Sequence, residues 1–149
     1  MVFRGRIGRT LDAKGRIMLP PDFREILLAR ATDGRLALTT YDGCIVGFPW
    51  PDWEEFEATI NSIKNPSRSV RDFRRLVVGG AEVMSADGQG RIRLSREQLA
   101  YAGIEKEAVL MGQGPRFEIW DAARLAPVLS RSFDDVALSM EGSGLDFAF

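Results

Sequence analysis

The sequence contains no histidine and a single cysteine, Cys44. Without histidine there is no serine–histidine or cysteine–histidine catalytic pair. It also has no C-x-x-C, no H-E-x-x-H and no phosphate-binding loop, the usual metal and nucleotide signatures. GQGRI and VGG contain glycines but lack the spacing of a phosphate loop. Of enzyme chemistries only carboxylate-only catalysis stays open, and the expectation is no catalytic residue, cofactor, metal or small-molecule substrate. One cysteine cannot form an internal disulfide, which suits a reducing compartment. Its setting in the apolar run CIV predicts burial. No apolar run approaches the roughly 18 residues that cross a membrane. The opening MVFRGRIGRT alternates and is basic, unlike the apolar core of a signal peptide. A cytoplasmic protein without a membrane partner is therefore expected. An excess of one charge is missing too: the formal net charge is −1. Contact with a polyanion would have to be a local patch, or be multiplied by oligomerisation.

What charge there is lies unevenly. Within residues 1–30 the cations Arg4, Arg6, Arg9, Lys14, Arg16, Arg24 and Arg30 face the anions Asp12, Asp22 and Glu25. Within 121–149, Arg124 and Arg131 face Asp121, Asp134, Asp135, Glu141 and Asp146. A basic head and an acidic tail hint at a polyanionic partner for the head. The 149 residues, 45% hydrophobic and 28% charged, suffice for one ordinary domain or two small ones.

The chain writes one phrase twice: DAKGR at Asp12–Arg16 and DGQGR at Asp87–Arg91, each followed by Ile-x-Leu. Before the first, Phe3, Ile7 and Leu11 alternate with Arg4 and Arg6, the pattern of a half-buried strand. Asp12 and Asp87 can accept a hydrogen bond from the backbone two residues on, and Gly15 and Gly90 can take a positive φ. A type I turn followed by a left-handed glycine is a common hairpin connection, so Arg16–Leu19 reads as a returning strand. Pro20 and Pro21 stop it, and Pro21 suits the first turn of a helix over about 21–30. In the second copy Ser95 and Gln98 read as a capping box, opening a helix that stops at Gly103. Each helix precedes two apolar stretches, RLALTT and CIVGFP in one copy, AVLMGQ and RFEIWD in the other. The halves therefore match in order as an internal duplication. The offset is 75 at the turns (87 minus 12) and 72 at the last strands (117 minus 45), so the second copy is shorter by about one turn.

Each copy ends on a helix, one opened by Trp50-Pro51-Asp52-Trp53, the other capped by Asp121 and holding Pro127. A further helix begins at Asn65-Pro66, with Val70, Phe73, Leu76 and Val77 as its apolar stripe and Gly79-Gly80 ending it. Arg68, Arg71, Arg74 and Arg75 form its other face, which could touch DNA but is expected rather to be solvated or to lie against Glu54, Glu55 and Glu57. The tryptophans Trp50, Trp53 and Trp120 are expected in packing rather than base stacking. This divides the chain into a first module over 1–64, a connecting helix over 65–80, a second module over 81–132, and a loosely ordered acidic tail over 133–149.

The two D-x-x-x-R turns, the opening FRG, the segment VRDFRRLVVGGAEV and the ending FEIWD together resemble the MraZ family, over residues 1 to about 130. The resemblance implies two AbrB-type swapped-hairpin modules in one chain, an α+β, mainly β fold forming a pseudo-dimeric barrel with short flanking helices. It also implies a nucleoid-associated transcriptional regulator that closes into rings, commonly of eight. Such regulators bind repeated boxes of double-stranded DNA in the promoter of their own division and cell-wall operon, often as repressors. An antitoxin-like or other protein-interaction role is the alternative. The acidic tail permits it, but the fused repeat argues against it.

For the site, Arg16 and Arg91 could reach from the turns to guanine edges or phosphates, or could pair with Asp12 and Asp87 and simply brace the turns. The two roles can coexist. Lys14, at the tip of the first turn, suits a phosphate; its counterpart Gln89 can hydrogen-bond but carries no charge. Arg4 and Arg6 are further candidates for phosphate contact, against a solvated strand face, and Arg93 could extend the patch beside Arg91.

Overall fold

The computed structural model describes residues 1–144. Among the described residues there are eight strands and six α-helices, and all but the connecting helix and the last helix follow the duplicated order. The first copy holds β1 (Arg6–Thr10), β2 (Arg16–Met18), α1 (Pro21–Arg30), β3 (Leu36–Tyr41), β4 (Cys44–Pro49) and α2 (Trp50–Asn61). After the connecting α3 (Arg68–Val77) come β5 (Glu82–Met84), β6 (Arg91–Arg93), α4 (Arg96–Ala102), β7 (Glu107–Gly112), β8 (Phe117–Asp121) and α5 (Ala122–Leu129). A single-turn α6 (Val136–Ser139) lies in the stretch expected to be loosely ordered; the last five residues of that tail, 145–149, lie outside the described residues.

The local signals act as their chemistry dictates. Pro21 opens α1, where a missing N–H costs nothing. Ser95 and Gln98 form the reciprocal capping box of α4, and Gly103 ends that helix at φ 69°. Asp121 caps α5 by accepting from the Arg124 N–H. The second copy is shorter around its helix: α4 has 7 residues where α1 has 10, and the short 3-10 turn Thr32–Gly34 that follows α1 has no counterpart after α4. One boundary differs. The connecting helix starts after Ser67, whose hydroxyl accepts from the Val70 N–H, rather than at Asn65-Pro66. The proline ring disfavours the helical region for the residue before it, and Asn65 takes a φ of 51° instead.

The strands pair across the copies. Six form one sheet in the order β1-β7-β8-β4-β3-β5, and β2 and β6 form a separate antiparallel ribbon. Each copy thus lends its first strand to the other copy's hairpin: β1 pairs with β7, and β5 with β3. The returning strand expected after the first turn does not return along β1; it crosses to pair with β6. For the same reason the expected barrel is not closed. No strand among the described residues links β1 to β5, and the sheet keeps two free edges.

The registers locate a pseudo-twofold axis. Under the offset of 75, Ile17 corresponds to Ile92, and these two are directly opposite in the ribbon. Under the offset of 72, Val46 corresponds to Glu118, and these are directly opposite at the centre of the sheet. The axis therefore runs through the middle of both layers. Between them lies one core, where Ile17, Leu19, Ile92 and Leu94 meet Leu38, Ile45, Leu110 and Ile119. Phe3, Phe23 and Phe117 cluster in it, with ring centroids 5.2–5.3 Å apart. A second core on the other face of the sheet joins Cys44, Val46, Phe48 and Trp120 to Trp53, Val77 and Leu125 of α2, α3 and α5. Strand β4 is buried throughout because both faces are covered. Cys44 is packed as expected, and burial pushes its thiol pKa up.

The arginine face of α3 meets neither of its expected fates in full. Arg74 donates from Nε and Nη2 to the Ile60 carbonyl and from Nη2 to the Ile63 carbonyl, at the end of α2. There a cation complements the helix dipole and satisfies carbonyls that have no helical partner. Arg75 pairs with Asp72 of its own helix. Among the described residues no ion pair joins this face to Glu54, Glu55 or Glu57.

Candidate nucleic-acid interface

The two charged turns are near copies in geometry. In the first, the Asp12 N–H donates to the Arg16 carbonyl at 2.9 Å and the Gly15 N–H to the Asp12 carbonyl at 3.1 Å. Asp12 Oδ1 accepts from the backbone of Lys14 and Arg16 at 2.9 and 2.8 Å, and Oδ2 accepts from Arg16 Nε at 2.8 Å. In the second, Asp87 Oδ1 accepts from the backbone of Gln89 and Arg91, and Oδ2 from Arg91 Nε, each at 2.9 Å. Gly15 and Gly90 stand at φ 79° and 83°. Both positions are also tight, since a Cβ on Gly15 would lie 3.1 Å from the Leu94 carbonyl oxygen.

One aspartate oxygen therefore builds the turn and the other aims the arginine. The Arg16 backbone N–H, more than its side chain, holds the Asp12 carboxyl below its ordinary 3.8, and Arg91 does the same for Asp87. Both carboxylates are charged at neutral pH. The brace engages Nε only. Among the described residues Nη1 and Nη2 of Arg16 and Arg91 make no hydrogen bond, so the forked end of each guanidinium is left to an external acceptor.

The ribbon carries both arginines on one face. Ile17 and Ile92 point into the core, at 1% and 2% exposure. Period-two alternation then turns Arg16, Met18, Arg91 and Arg93 outward. Arg16 stands opposite Arg93, and Met18 opposite Arg91. The Leu94 N–H donates to the Gly15 carbonyl and the Leu19 N–H to the Gly90 carbonyl, tying each turn to the end of the other copy's ribbon strand. A groove of about 760 Å³ runs along this face; Lys14, Arg16, Arg91, Arg93 and Arg96 line it against the carboxylates of Glu82 and Asp87. A smaller groove of about 380 Å³ at the second turn has Arg9 and Arg24 against Glu25.

The structure thus brings together Lys14, Arg16, Arg91 and Arg93, and places Gln89 at the smaller groove. It does not bring Arg4 and Arg6 to them. Arg6 sits opposite Met111 at the far end of β1, and six extended residues separate it from Asp12 by roughly 20 Å. Arg4 lies beyond, next to the Phe3–Gly114 bridge. Arg9 turns back, its Nε donating to the Met18 carbonyl at 3.2 Å. Two groove arginines, Arg24 and Arg96, are not singled out by the sequence, where Arg24 is only one of the cations of the basic head. The repeat offset sets Arg96 against Pro21 and Arg24 against Leu99, so no repetition flags them. Their one signal is position: each follows a ribbon strand by a few residues, and the exchange delivers each to the other copy's turn.

Two strand–turn–strand–helix units that exchange their first strands around a pseudo-twofold axis, with paired aspartate-braced arginines, define a tandem AbrB-type swapped-hairpin protein. Comparison with known proteins agrees. The model of a family described as "MraZ protein, putative antitoxin-like" matches residues 2–76 and again 77–135. The chain is 58% identical over 149 residues to the Transcriptional regulator MraZ of Nitratidesulfovibrio vulgaris strain Hildenborough, covering all of both chains. It is 54% identical over 147 residues to that of Oleidesulfovibrio alaskensis, with 99% of each chain covered. It is 40% identical over 149 residues to that of Bordetella pertussis, with 99% of this chain and all of the relative covered. The chain belongs to the MraZ family.

Proposed function

We propose that this protein is a sequence-specific DNA-binding transcriptional regulator that acts in the cytoplasm, at the nucleoid. It reads repeated boxes of double-stranded DNA in the promoter of its own division and cell-wall operon. The observation that carries this reading is the outward face of the ribbon. Arg16 and Arg91 are held there by Nε, and among the described residues their forked ends are free and the neighbouring cations Arg93 and Lys14 have no ion-pair partner. A guanidinium fork matches guanine O6 and N7 or a phosphate, and such a contact discriminates by about 1–3 kcal/mol. Gly15 and Gly90 keep the turns tight, and Gln89 offers a hydrogen bond without charge. Arg4 and Arg6, at the far end of β1, are assigned to flanking phosphates. The relatives' shared name, Transcriptional regulator, supports the same reading.

A formal charge of −1 makes one ribbon a modest site. We assign the missing affinity to a homo-oligomeric ring of about eight subunits, which presents several ribbons to repeated boxes; linked sites gain roughly 100-fold or more when spacing matches.

The test is fluorescence anisotropy on the DNA upstream of this protein's own operon, with box spacing intact or scrambled. Tight binding that needs the repeats and falls steeply with salt is expected. Arg16→Ala should weaken it about tenfold to 100-fold at fixed salt with the circular-dichroism spectrum unchanged. Equal affinity for scrambled DNA, or an unaltered Arg16→Ala, would overturn the reading.

A further inference from the structure

The pseudo-twofold axis fails where it reaches the surface. It carries Ile17 onto Ile92 and Arg16 onto Arg91, so the braced arginines are symmetric. The same rotation carries Met18 onto Arg93 and, at the turn tips, Lys14 onto Gln89. Of the four outward ribbon positions, two are therefore matched and two are chemically opposed. Met18 exposes an apolar thioether, 39% accessible. Arg93 exposes a cation with no ion-pair partner among the described residues.

The grooves diverge in the same sense. The one beside Lys14 holds five cations against two carboxylates, whereas the one beside Gln89 holds two against one. Both of the latter cations also donate to backbone carbonyls, Arg9 to Met18 and Gly8, and Arg24 to Asp87. None of the four broken positions packs in a core; all are exposed. Fold stability therefore does not require the asymmetry.

A DNA backbone viewed along a local dyad is the same from both ends. A symmetric ribbon would lie on it either way round. We infer that Arg93 and Lys14 on one side, and Met18 and Gln89 on the other, are polarity determinants that fix the direction in which each chain lies on duplex DNA. The inference rests on the proposed contact between ribbon and duplex. The Arg93 side takes phosphates or a guanine edge. The Met18 side takes an apolar edge such as a thymine methyl, with Gln89 able to hydrogen-bond an adenine. One chain then reads a box whose two halves differ in sequence, with a preference of about tenfold for one orientation.

Energy transfer tests this on the full-length chain. A donor dye is attached at Ala58→Cys, on exposed α2 and away from the axis; the native Cys44 is buried and does not compete. The acceptor sits on one end or the other of a short duplex carrying a single upstream box. The unmodified ribbon should give high transfer from one end and low from the other. The fourfold exchange Lys14→Gln, Met18→Arg, Gln89→Lys, Arg93→Met should reverse that bias, and Arg93→Met alone should reduce it. Tight binding with equal transfer to both ends, or a bias that survives the exchange, overturns the polarity assignment and leaves the DNA-binding reading standing. Absence of binding to the duplex at low salt removes that reading as well.

Discussion

Gly47 sits one residue from the axis, and a single methyl there should be costly. A Cβ on Gly47 would lie 2.3, 2.5 and 2.7 Å from Cζ, Cε1 and Cε2 of Phe117. Ordinary carbon contacts need roughly 3.5–4.0 Å, so the ring would have to retreat by more than about 1 Å. It has nowhere to go. Phe117 is fully buried, and Phe3 and Phe23 stand at centroid distances of 5.2 and 5.3 Å. Overpacking of this kind costs about 1–3 kcal/mol, and losing the packing of a buried phenylalanine about 3–5 kcal/mol. Gly47→Ala should fall between, at about 2–4 kcal/mol. With a urea slope of roughly 2 kcal/mol per molar, the denaturation midpoint drops by about 1–2 M at fixed protein concentration. Phe117→Leu makes room for the methyl, so the double variant should be more stable than the sum of the two single losses. A midpoint within about 0.3 M of the parent, or strictly additive losses, would refute the account of this contact.

Two further outcomes follow from groups near the surface. The folded state depresses the Asp12 carboxyl, so its contribution to the turn is complete above the ordinary 3.8 and is lost as pH falls through the depressed value. A carboxyl-carbon NMR titration should show a midpoint below 3.8. Because the Arg16 backbone N–H is the leading cause and survives in alanine, Arg16→Ala should leave the midpoint below 3.8 too; a return to 3.8 would reassign the cause to the guanidinium. Arg74→Met keeps most of the side-chain length but drops the hydrogen bonds to Ile60 and Ile63, and should cost about 1 kcal/mol in thermal denaturation. Faster amide exchange in the last turn of α2 should accompany it, and unchanged exchange there would contradict the assignment.

Much of this architecture is written in short-range chemistry. Asp12, Gly15 and their counterparts name the turns because an acceptor and a positive φ are needed within five residues. Ser95 and Gln98 name the start of α4 for the same kind of reason. What a local pattern does not encode is the partner of a strand. Arg16–Met18 looks the same whether it returns along β1 or crosses to β6, since alternation sets a face and not a neighbour. The sheet stays open at that point. Arg4 and Arg6 lie far from the first turn, because six residues that are close in sequence are distant in an extended chain. The start of α3 is written in Ser67, whose hydroxyl caps the helix, and not in Pro66 beside it. Arg24 and Arg96 were hidden because their role depends on which copy's turn they meet.

The exchange of first strands also sets a clock on synthesis. Strand β1 is synthesised about 100 residues ahead of its partner β7. At roughly 5–20 residues per second the nascent chain spends about 5–20 s with that strand unmatched. During the same interval β3 waits for β5, so two strand edges from one chain are open together. Neighbouring nascent chains on one messenger carry the same open edges, and an early strand that finds a sister chain first would lock two molecules together. A tandem gene limits this hazard by placing the proper partner on the same chain, at a high local concentration as soon as it emerges.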